Sequence, residues 1–349
     1  MGSNIPESIM NLAIITTTGI NSGDNFIYEG FKNLFPTKHY GSVFLVNKVD
    51  IPINNSYKEF IDESDLIVIC GSPIFYDKCY KMKWQNSILN YSKNSGKKIM
   101  LNAVGSNFKG SADGKISIPD TSKDNNYASF VSKYREVSSG DFTVRDRYCF
   151  EFLKDAGIST VKQFVCPSLF SSDDDSVQDD RDLIFIIWGD TFWNCEVPSQ
   201  KILETCIKVQ KSLESRIKNK KIVWVCHDYK SYKGLLNHVN RHDVLFSNNY
   251  IDFFKYYKRC FFAFSVKVHG TMLLASMGTP SLLLQLDSRA FVLEALNESI
   301  ATPSTSIEQL TDMCLEKIEG SENYRSKIRE LKRQYKEEYE EMFGRINLL

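Results

Sequence analysis

Short apolar runs recur along the chain, and each is followed by a polar or glycine-containing turn and then by a helical pattern. The runs are apolar at consecutive rather than alternate positions, which is typical of strands buried on both faces. Such strands in alternation with helices indicate parallel sheets covered by helices on both sides. The sequence therefore predicts an α/β protein. The main predicted strands lie at 12–16, 43–46, 66–70, 97–107, 142–144, 183–190, 222–226, 244–246, 261–265 and 281–286.

An acidic stretch at 171–181 separates two halves that each show this alternation. It reads SSDDDSVQDDR and has no periodicity, as is typical of a linker. Its aspartates also suggest a metal site, but no apolar frame positions their carboxylates, and we prefer a solvated hinge. We therefore expect one domain over 1–170 and a second over 182–349, which ends in a long helix at 321–343. Two Rossmann-like, doubly wound domains would face each other across a cleft that holds the active site.

Composition narrows the choice of partner and compartment. The 349 residues include 43 Lys+Arg and 43 Asp+Glu, so no overall field favours nucleic acid or an anionic membrane. No signal-peptide pattern and no run of about 18 apolar residues occurs, so we expect a cytoplasmic protein with at most peripheral membrane contact. Nine cysteines without a C-x-x-C pair indicate reduced thiols. Because no His/Cys/Asp cluster has ligand spacing, we expect no metal.

The stretch FFAFSVKVHGTMLLASMGTP at 261–280 carries the clearest candidate chemistry. Its pattern predicts a buried strand, a turn at 266–270 and then a helix. Lys267 and His269 would thus lie at the carboxyl edge of a parallel sheet, beside a helix N-terminus whose free N–H groups attract anions. We predict an anion site here. The alternative for His269 is a structural histidine that is hydrogen-bonded to the backbone at a helix start.

Polar side chains follow three other predicted strands. Asp24 lies in a glycine-containing loop after the first strand, where it could cap the next helix, line the cleft, or do both. Arg145 could bind an anion or form a surface salt bridge with the neighbouring Asp146. His227 and Asp228 come directly after a strand of the second half. Because the carboxyl ends of parallel strands meet at one edge of a sheet, these side chains could all face the cleft.

Four motifs, in the same order along the chain, resemble those of the polysaccharide pyruvyl transferase family. The matches extend over roughly residues 12–290 of this chain. The first is GINSGD at 19–24, which resembles the family's G-N-x-G-D, and the second is TVRD at 143–146 with LKDAGI at 153–158, which resembles S-V-R-D … L-x-x-x-G-I. The third is VKVHG at 266–270 with ASMGTP at 275–280, which resembles R-L-H-G … A-x-x-x-G-x-P. The fourth is QLDSR at 285–289, which resembles Y-D-x-K.

The resemblance implies a fold similar to GT-B glycosyltransferases and the transfer of a pyruvyl group from phosphoenolpyruvate to two hydroxyls of a sugar. It implies no cofactor, with phosphoenolpyruvate as co-substrate, and a sugar linked to a nucleotide or a lipid carrier as the other partner. The residues it assigns fall into three roles. They are His269 as the catalytic acid; Lys267, Arg145 and Gly270 on the donor; and Asn21, Asp24, Asp77, His227 and Asp228 on the acceptor.

This chain departs from the family pattern in two places. Lys267 stands where the family has arginine, which keeps the positive charge but loses the planar fork that grips a carboxylate. The family's glycine-rich stretch G-G-G-x-x-x-D is reduced to CGSPIFYD at 70–77. Two alternatives therefore stay open: a GT-B glycosyltransferase that uses a nucleotide sugar, and a sugar-binding scaffold that has lost catalysis.

Overall fold

The computed structural model describes residues 10–17, 22–35, 40–53, 55–140, 142–172, 181–190 and 194–346. Asn21, predicted to contact the acceptor, lies outside these residues, as does most of the predicted acidic linker. Within the described residues, strands and helices alternate through both halves, and the α/β prediction is confirmed.

The first half contains ten strands and five helices among the described residues. They are β1 (Met10–Thr16), α1 (Ser22–Leu34), β2 (Tyr40–Asn47), α2 (Tyr57–Asp62), β3 (Leu66–Cys70), β4 (Pro73–Phe75), α3 (Lys83–Ser95), β5 (Lys98–Asn102), β6 (Gly105–Ser106), β7 (Lys109–Gly110), β8 (Ile116–Ser117), α4 (Asn125–Val137), β9 (Phe142–Val144), α5 (Arg147–Asp155) and β10 (Val161–Gln163).

The second half contains six strands and six helices in the part of the chain that is described, together with a 3-10 segment over Ser288–Leu296. They are β11 (Leu183–Trp188), α6 (Ser199–Arg216), β12 (Lys221–Cys226), α7 (Tyr229–Leu235), β13 (Val244–Phe246), α8 (Tyr250–Lys258), β14 (Cys260–Ser265), α9 (Val268–Ser276), β15 (Ser281–Leu284), β16 (Ile300–Ala301), α10 (Ile307–Glu319) and α11 (Ser321–Ile346).

Each half is built on a parallel sheet. The first sheet has the order β2-β1-β3-β5, and the second has the order β13-β12-β11-β14-β15-β16. All pairings within these two sheets are parallel, so the carboxyl ends of the strands in each sheet lie along one edge. The central strands are apolar throughout because helices cover both faces; every residue of β3 and of β11 is buried.

The hairpin of β7 and β8 joins the two halves. Gly110 donates its backbone N–H to the carbonyl of Asn194 at 2.9 Å. Gln285 Nε2 donates to the carbonyl of Gly114 at 2.6 Å. The polar and glycine residues of this segment therefore supply backbone groups that bind the second half.

The terminal helix α11 packs against the first half as well as the second. The ring of Phe343 lies 5.9 Å from that of Phe31 and 4.6 Å from that of Phe35, centroid to centroid. Tyr339 donates its hydroxyl to the carbonyl of Val165 at 2.6 Å. Tyr339 and Phe343 are both buried. The last turns of the chain therefore complete the apolar core beside α1.

We expect Phe343→Ala to lower the free energy of unfolding by about 3–5 kcal/mol, because it empties a buried aromatic site against α1. Glu340→Ala changes an exposed residue of the same helix and should stay within about 0.5 kcal/mol of wild type. Urea unfolding of both variants measures the difference. Equal midpoints would show that the end of α11 contributes little to the core.

Candidate active site

The turn between β14 and α9 is shorter than the sequence suggested, because the helix begins at Val268 rather than near Thr271. Lys267 is the N-cap residue, and its side chain makes no capping hydrogen bond. His269 therefore lies in the first turn of the helix, where backbone N–H groups have no intrahelical partner. Such a helix start favours negative charge nearby, and the anion site itself stays a prediction.

The side chain of Lys267 crosses Gly189, which follows β11. A Cβ at Gly189 would overlap Cε and Nζ of the lysine, so only glycine leaves room for this path. Lys267 Nζ lies 3.8 Å from Asp228 Oδ2. Burial lowers the pKa of Lys267, and nearby Arg289 lowers it further, against the opposing pull of Asp228. The amine thus lies beside Gly189, with the carboxylates of Asp228 and Asp190 and the guanidinium of Arg289 close enough to shift its pKa.

His269 reaches across to the first half. A Cβ at Gly23 would overlap its imidazole ring, so helix α1 and helix α9 meet closely at this point. Nδ1 of His269 lies 4.0 Å from Asp24 Oδ1. Burial, reinforced by the cations around it and opposed by Asp24, lowers the pKa of His269 to about 3. At pH 7 the imidazole is therefore neutral, and its approach to Asp24 is not an ion pair.

Asp24 lies inside the first turn of α1 rather than at its N-cap, because the helix already begins at Ser22. Its carboxylate is 3.7 Å from Lys48 Nζ, and that lysine also donates to Ser72 Oγ at 3.0 Å. Burial raises the pKa of Asp24, but the charge of Lys48, a hydrogen bond with Thr17 and the charge of Arg145 lower it below its ordinary value. The carboxylate is thus ionised and faces the histidine. No pattern in the sequence indicated that Lys48, which directly follows β2, would contact Asp24.

Arg145 is fully buried, and the surface salt bridge considered as its alternative is wrong. Nη1 lies 3.5 Å from Cys166 Sγ, whereas Nε and Nη2 have no hydrogen-bond partner among the described residues. The carboxylate of Asp146 instead accepts from Ser106 N, Ser106 Oγ and Cys149 N at 2.6–2.8 Å. A buried guanidinium therefore keeps one edge of its fork unpaired.

Arg289 shows what that edge of a guanidinium can hold. Its Nε and Nη2 donate to the two oxygens of Asp287 at 2.9 and 2.6 Å, a side-on bidentate pair. Burial lowers the pKa of Arg289, but the charge of Asp287 outweighs it and raises the pKa overall. The same two atoms, Nε and Nη2, are the unpaired ones in Arg145. The sequence indicated Arg289 only as part of the QLDSR motif.

These cations converge on His269. Arg145, Arg289 and Lys267 each act on its imidazole strongly enough to lower its pKa. A small cavity of about 40 Å³ lies beside Lys267, His269 and Arg289, and His227 and Asp287 complete its polar wall; Arg145 does not line it. The structure thus brings together Arg145, Lys267, His269 and Asp24 from both halves, as the sequence suggested.

A larger cavity of about 630 Å³ lies elsewhere, beside β5, β10 and the end of α11. Its wall is mainly apolar and carries a single cation, Lys162, beside Glu338 and Glu341. Size alone would favour this cavity as a binding site. We place the candidate site at the smaller one, because the strongly shifted titratable groups and the convergent cations lie there.

The remaining predicted residues have mainly structural contacts. His227 lies at the cavity, is buried against Tyr257 (Nε2 to hydroxyl oxygen 2.7 Å), and has its pKa lowered to about 3 by burial. Gly270 makes room for that pair, since a Cβ there would lie 2.8 Å from the Tyr257 hydroxyl. Asp228 caps α7 and faces Lys267. Asp77 is exposed and accepts from Tyr127 at 2.8 Å, with no recorded contact to the cluster.

Among the described residues, no group of three or more His, Cys, Asp or Glu side chains could hold a metal ion. No helix in the described ranges is long and apolar enough to cross a bilayer.

Solved structures with the same architecture include sugar-nucleotide epimerases and a polymerase. A Listeria monocytogenes protein assigned as a UDP-N-acetylglucosamine 2-epimerase is 10% identical, with 92% of this chain and 90% of that chain aligned at a TM-score of 0.53. The UDP-GlcNAc 2-epimerase of Methanocaldococcus jannaschii is 11% identical over 88% and 93%, with a TM-score of 0.50. A variant of the wall teichoic acid polymerase TagF is 14% identical over 96% and 88%, also at 0.50. These likenesses show a GT-B-like fold.

Sequence comparison gives the family. No curated protein matches the chain. A family model described as polysaccharide pyruvyl transferase matches residues 21–288, which is more than half of the chain; the match includes Arg145, Lys267 and His269 and ends one residue before Arg289. The chain belongs to the polysaccharide pyruvyl transferase family.

Proposed function

We propose that this transferase moves the pyruvyl group of phosphoenolpyruvate onto two hydroxyls of a sugar and forms a cyclic ketal. The observation that carries the proposal is the cluster of Arg145, Lys267 and Arg289 around His269. Phosphoenolpyruvate places a carboxylate and a phosphate on one small frame, so its site needs several cations around a proton donor. Three cations around one histidine meet that requirement.

The three cations suit different parts of the donor. The Nε and Nη2 edge of Arg145 has no hydrogen-bond partner among the residues that the structure describes, so it is the fork best suited to the donor carboxylate. Arg289 has the same edge occupied by Asp287, and Lys267 offers a point charge at a helix start. We assign these two to the phosphate, whose oxygens accept hydrogen bonds without requiring a planar partner.

We assign His269 as the general acid. The free protein holds it neutral, and the negative charge of a bound donor would offset the surrounding cations and raise its pKa. His269 then gives its proton to the methylene carbon, which becomes the ketal methyl group, while a sugar hydroxyl bonds to the neighbouring carbon. Loss of phosphate and attack by the second hydroxyl complete the ketal. One hydroxyl proton returns to His269, and the other leaves on hydrogen phosphate.

Asp24 faces His269 from the first half, so we place the acceptor on that side of the cleft. Its ionised carboxylate would stabilise the imidazolium or accept a proton from the attacking hydroxyl. The acceptor we propose is a sugar carried on a nucleotide or a lipid. Asn21, Asp77, His227 and Asp228 stay predictions as acceptor contacts. Asp228 also touches Lys267, which suits a role in positioning that amine.

We also propose that the protein works in the cytoplasm without a cofactor. All nine cysteines are free and eight of them are buried, which suits a reducing compartment. The balanced charge of 43 against 43 gives no general attraction to nucleic acid, and membrane contact through a lipid-linked acceptor would be peripheral.

Incubation with phosphoenolpyruvate and a panel of nucleotide- or lipid-linked sugars tests the proposal. Phosphate release, together with a mass gain of one pyruvate less one water in the sugar, would support it. If calorimetry finds no phosphoenolpyruvate binding and no acceptor releases phosphate, the proposal fails. Binding of a nucleoside diphosphate that phosphoenolpyruvate does not affect would favour a glycosyltransferase instead.

We expect Gly189→Ala to reduce kcat/KM for phosphoenolpyruvate by about 10²-fold, because the new methyl group must displace the Lys267 side chain by about 1 Å or more. The backbone at Gly189 is not left-handed, so alanine itself is tolerated there. Gly344→Ala, whose added Cβ meets nothing within 4 Å, is the matched control and should leave kcat/KM unchanged. If steady-state kinetics give the same kcat/KM for the two variants, Gly189 is not needed to position the Lys267 side chain.

A further inference from the structure

The carboxylate of Asp24 has a lysine on one side and a histidine on the other. Oδ2 lies 3.7 Å from Lys48 Nζ, and Oδ1 lies 4.0 Å from His269 Nδ1. A direct N–H···O hydrogen bond spans about 2.7–3.2 Å, so neither contact is one. A polar contact longer than about 3.5 Å leaves room for a bridging oxygen, such as that of a water. Asp24 therefore has a gap of bridging size at each of its two oxygens.

Both Asp24 and Lys48 have hydrogen-bonding capacity left for a bridging group. A carboxylate accepts about four hydrogen bonds, so the hydrogen bond with Thr17 leaves Asp24 able to accept more. The ammonium of Lys48 has three donors, and among the described residues it hydrogen-bonds to Ser72 Oγ at 3.0 Å. Ser72 is only 4% exposed, so it holds the amine from inside the fold. The amine is thus fixed in position and can still donate to a ligand.

The three side chains around these gaps are accessible to solvent. The exposed fractions of the side chains are 21% for Lys48, 11% for Asp24 and 12% for His269. Lys48 directly follows β2, and Asp24 lies in the first turn of α1, which follows β1. Because β1 and β2 are parallel, both side chains lie at the carboxyl edge of the first sheet. Open α/β sheets bind their ligands at this edge.

A pair of neighbouring hydroxyls fits the two gaps. A hydroxyl both donates and accepts, so one placed between Asp24 and Lys48 donates to the carboxylate and accepts from the ammonium. A second hydroxyl at the other oxygen of Asp24 donates there and lies beside His269. Asp24 repels an anion and Lys48 repels a cation, so a neutral group with both hydrogen-bonding functions suits this place best.

We propose that Asp24 and Lys48 form the diol site of the acceptor, in which the two sugar hydroxyls that become the ketal oxygens bind on either side of the Asp24 carboxylate. Lys48 is then a direct contact of the acceptor, and Ser72 is the residue that positions its amine. The acceptor class is a sugar with two free hydroxyls close enough to share one carboxylate. The identity of these hydroxyls rests on the proposed function, but binding of the diol requires no reaction.

Lys48→Met tests the site by binding alone, since it removes the ammonium and keeps an unbranched side chain. Saturation-transfer NMR identifies the sugars of the assay panel that bind, and calorimetric titration gives their Kd. We expect the Kd of the sugar to rise about tenfold or more, because a charge-assisted hydrogen bond is lost. The Kd of phosphoenolpyruvate should stay within about threefold, because the donor lies on the far side of His269.

Lys98→Met is the matched control, and it should bind both ligands as wild type does. Lys98 is exposed at the start of β5, at the opposite edge of the same sheet. Far-UV circular dichroism and the melting temperature report whether each variant is folded. If Lys48→Met fails to fold, Ser72→Ala decides alone. It should weaken sugar binding by about two- to fivefold and leave phosphoenolpyruvate binding unchanged, a difference that a general loss of structure would not produce.

Monodeoxy forms of the sugar separate a direct contact from an indirect effect. They cannot close the ketal, so their Kd is measured without turnover. In wild type, loss of one of the two hydroxyls should weaken binding about tenfold, whereas the same loss in Lys48→Met should change the Kd by about threefold or less. The other hydroxyl should matter equally in both proteins. This pattern identifies the hydroxyl that contacts Lys48.

The outcomes for the diol site and for the reaction are distinct. A sugar that binds in the expected pattern but forms no ketal supports the diol site and contradicts the proposed function. A ketal product with the same sugar affinity in wild type and Lys48→Met overturns the diol site and leaves the proposed function intact. The diol site is also overturned if Lys48→Met weakens only phosphoenolpyruvate, if both proteins discriminate equally between the deoxy sugars, or if wild type binds no sugar of the panel.

Discussion

Arg145→Met is expected to lower pyruvyl transfer by about 10²- to 10³-fold and at the same time to raise the melting temperature. The loss of activity follows from the role of Arg145 as the fork for the donor carboxylate. The gain in stability follows from its surroundings: the side chain is fully buried, its Nε and Nη2 have no hydrogen-bond partner among the described residues, and Asp24 and Asp146 attract its charge without forming a close ion pair with it in the described part of the chain. A buried charge with unpaired hydrogen-bond donors costs free energy in the folded state.

Methionine has nearly the length of arginine and no charge, so it removes this cost without leaving a large cavity. We expect a gain of about 1–3 kcal/mol in the free energy of unfolding, measured by urea titration of the ligand-free protein. Arg147→Met is the matched control. Arg147 is exposed, with Nη1 3.1 Å from Glu294, and its loss should not stabilise the fold.

The two measurements are informative together. An inactive and more stable Arg145→Met variant would mean that the charge of Arg145 destabilises the free protein and is kept because the substrate needs it. If the variant is instead less stable than Arg147→Met, then Arg145 has a structural partner, and its assignment to the donor loses its support.

His269→Gln is expected to lower turnover by about 10²- to 10⁴-fold, because it removes the general acid while keeping a hydrogen-bonding side chain. The substitution should also lower, by up to one, the number of protons that the protein takes up when phosphoenolpyruvate binds. The pKa of His269 is about 3 in the free protein, so wild type must take up a proton when the donor raises that pKa above the working pH. Calorimetric titration at pH 7.5 in buffers of different ionisation enthalpy measures this uptake.

The control for this experiment is His238→Gln, at an exposed histidine of the second half. It should show the same proton uptake as wild type, whereas His269→Gln should show less by up to one proton per donor bound. Subtracting the proton uptake of His269→Gln from that of His238→Gln cancels the protons that bind to the phosphate group of the donor. Equal uptake in both variants would exclude His269 as the group that is protonated on binding.

Stability of the free protein gives a second test of the same pKa. The ordinary pKa of histidine is 6.5, above the value of about 3 for His269, so the unfolded chain binds the proton first as the pH falls. This histidine therefore contributes full stability above pH 6.5 and progressively less down to about pH 3. Between pH 7 and pH 5, wild type should lose roughly 2 kcal/mol more than His269→Gln.

The sequence was sufficient for the fold class because the apolar runs themselves encode it. The strand at 142–144 matches β9, and Cys260–Ser265 differs from the predicted 261–265 by one residue. The start of α9 was placed too late, because Val268 is β-branched and nothing local marks Lys267 as its N-cap. Strand patterns are thus local properties, whereas this helix boundary depends on contacts across the cleft.

The site was predictable only in part, for a similar reason. Lys267, His269 and Asp24 could be proposed because each follows a strand end. The burial of Arg145 could not, since its neighbour Asp146 suggests an ion pair, and only the tertiary structure turns that carboxylate towards Ser106. Lys48 reaches Asp24 from the next strand, which no spacing along the chain reveals.

The position of α11 also affects when the protein can fold during its synthesis. Phe31 and Phe35 are made more than 300 residues before their aromatic partner Phe343. Domains usually fold in order from the N-terminus, as soon as their residues are available. Here the apolar face of α1 has to wait until α11 has been made. The nascent protein therefore exposes that face over this long interval and is a natural client for chaperones that bind apolar segments.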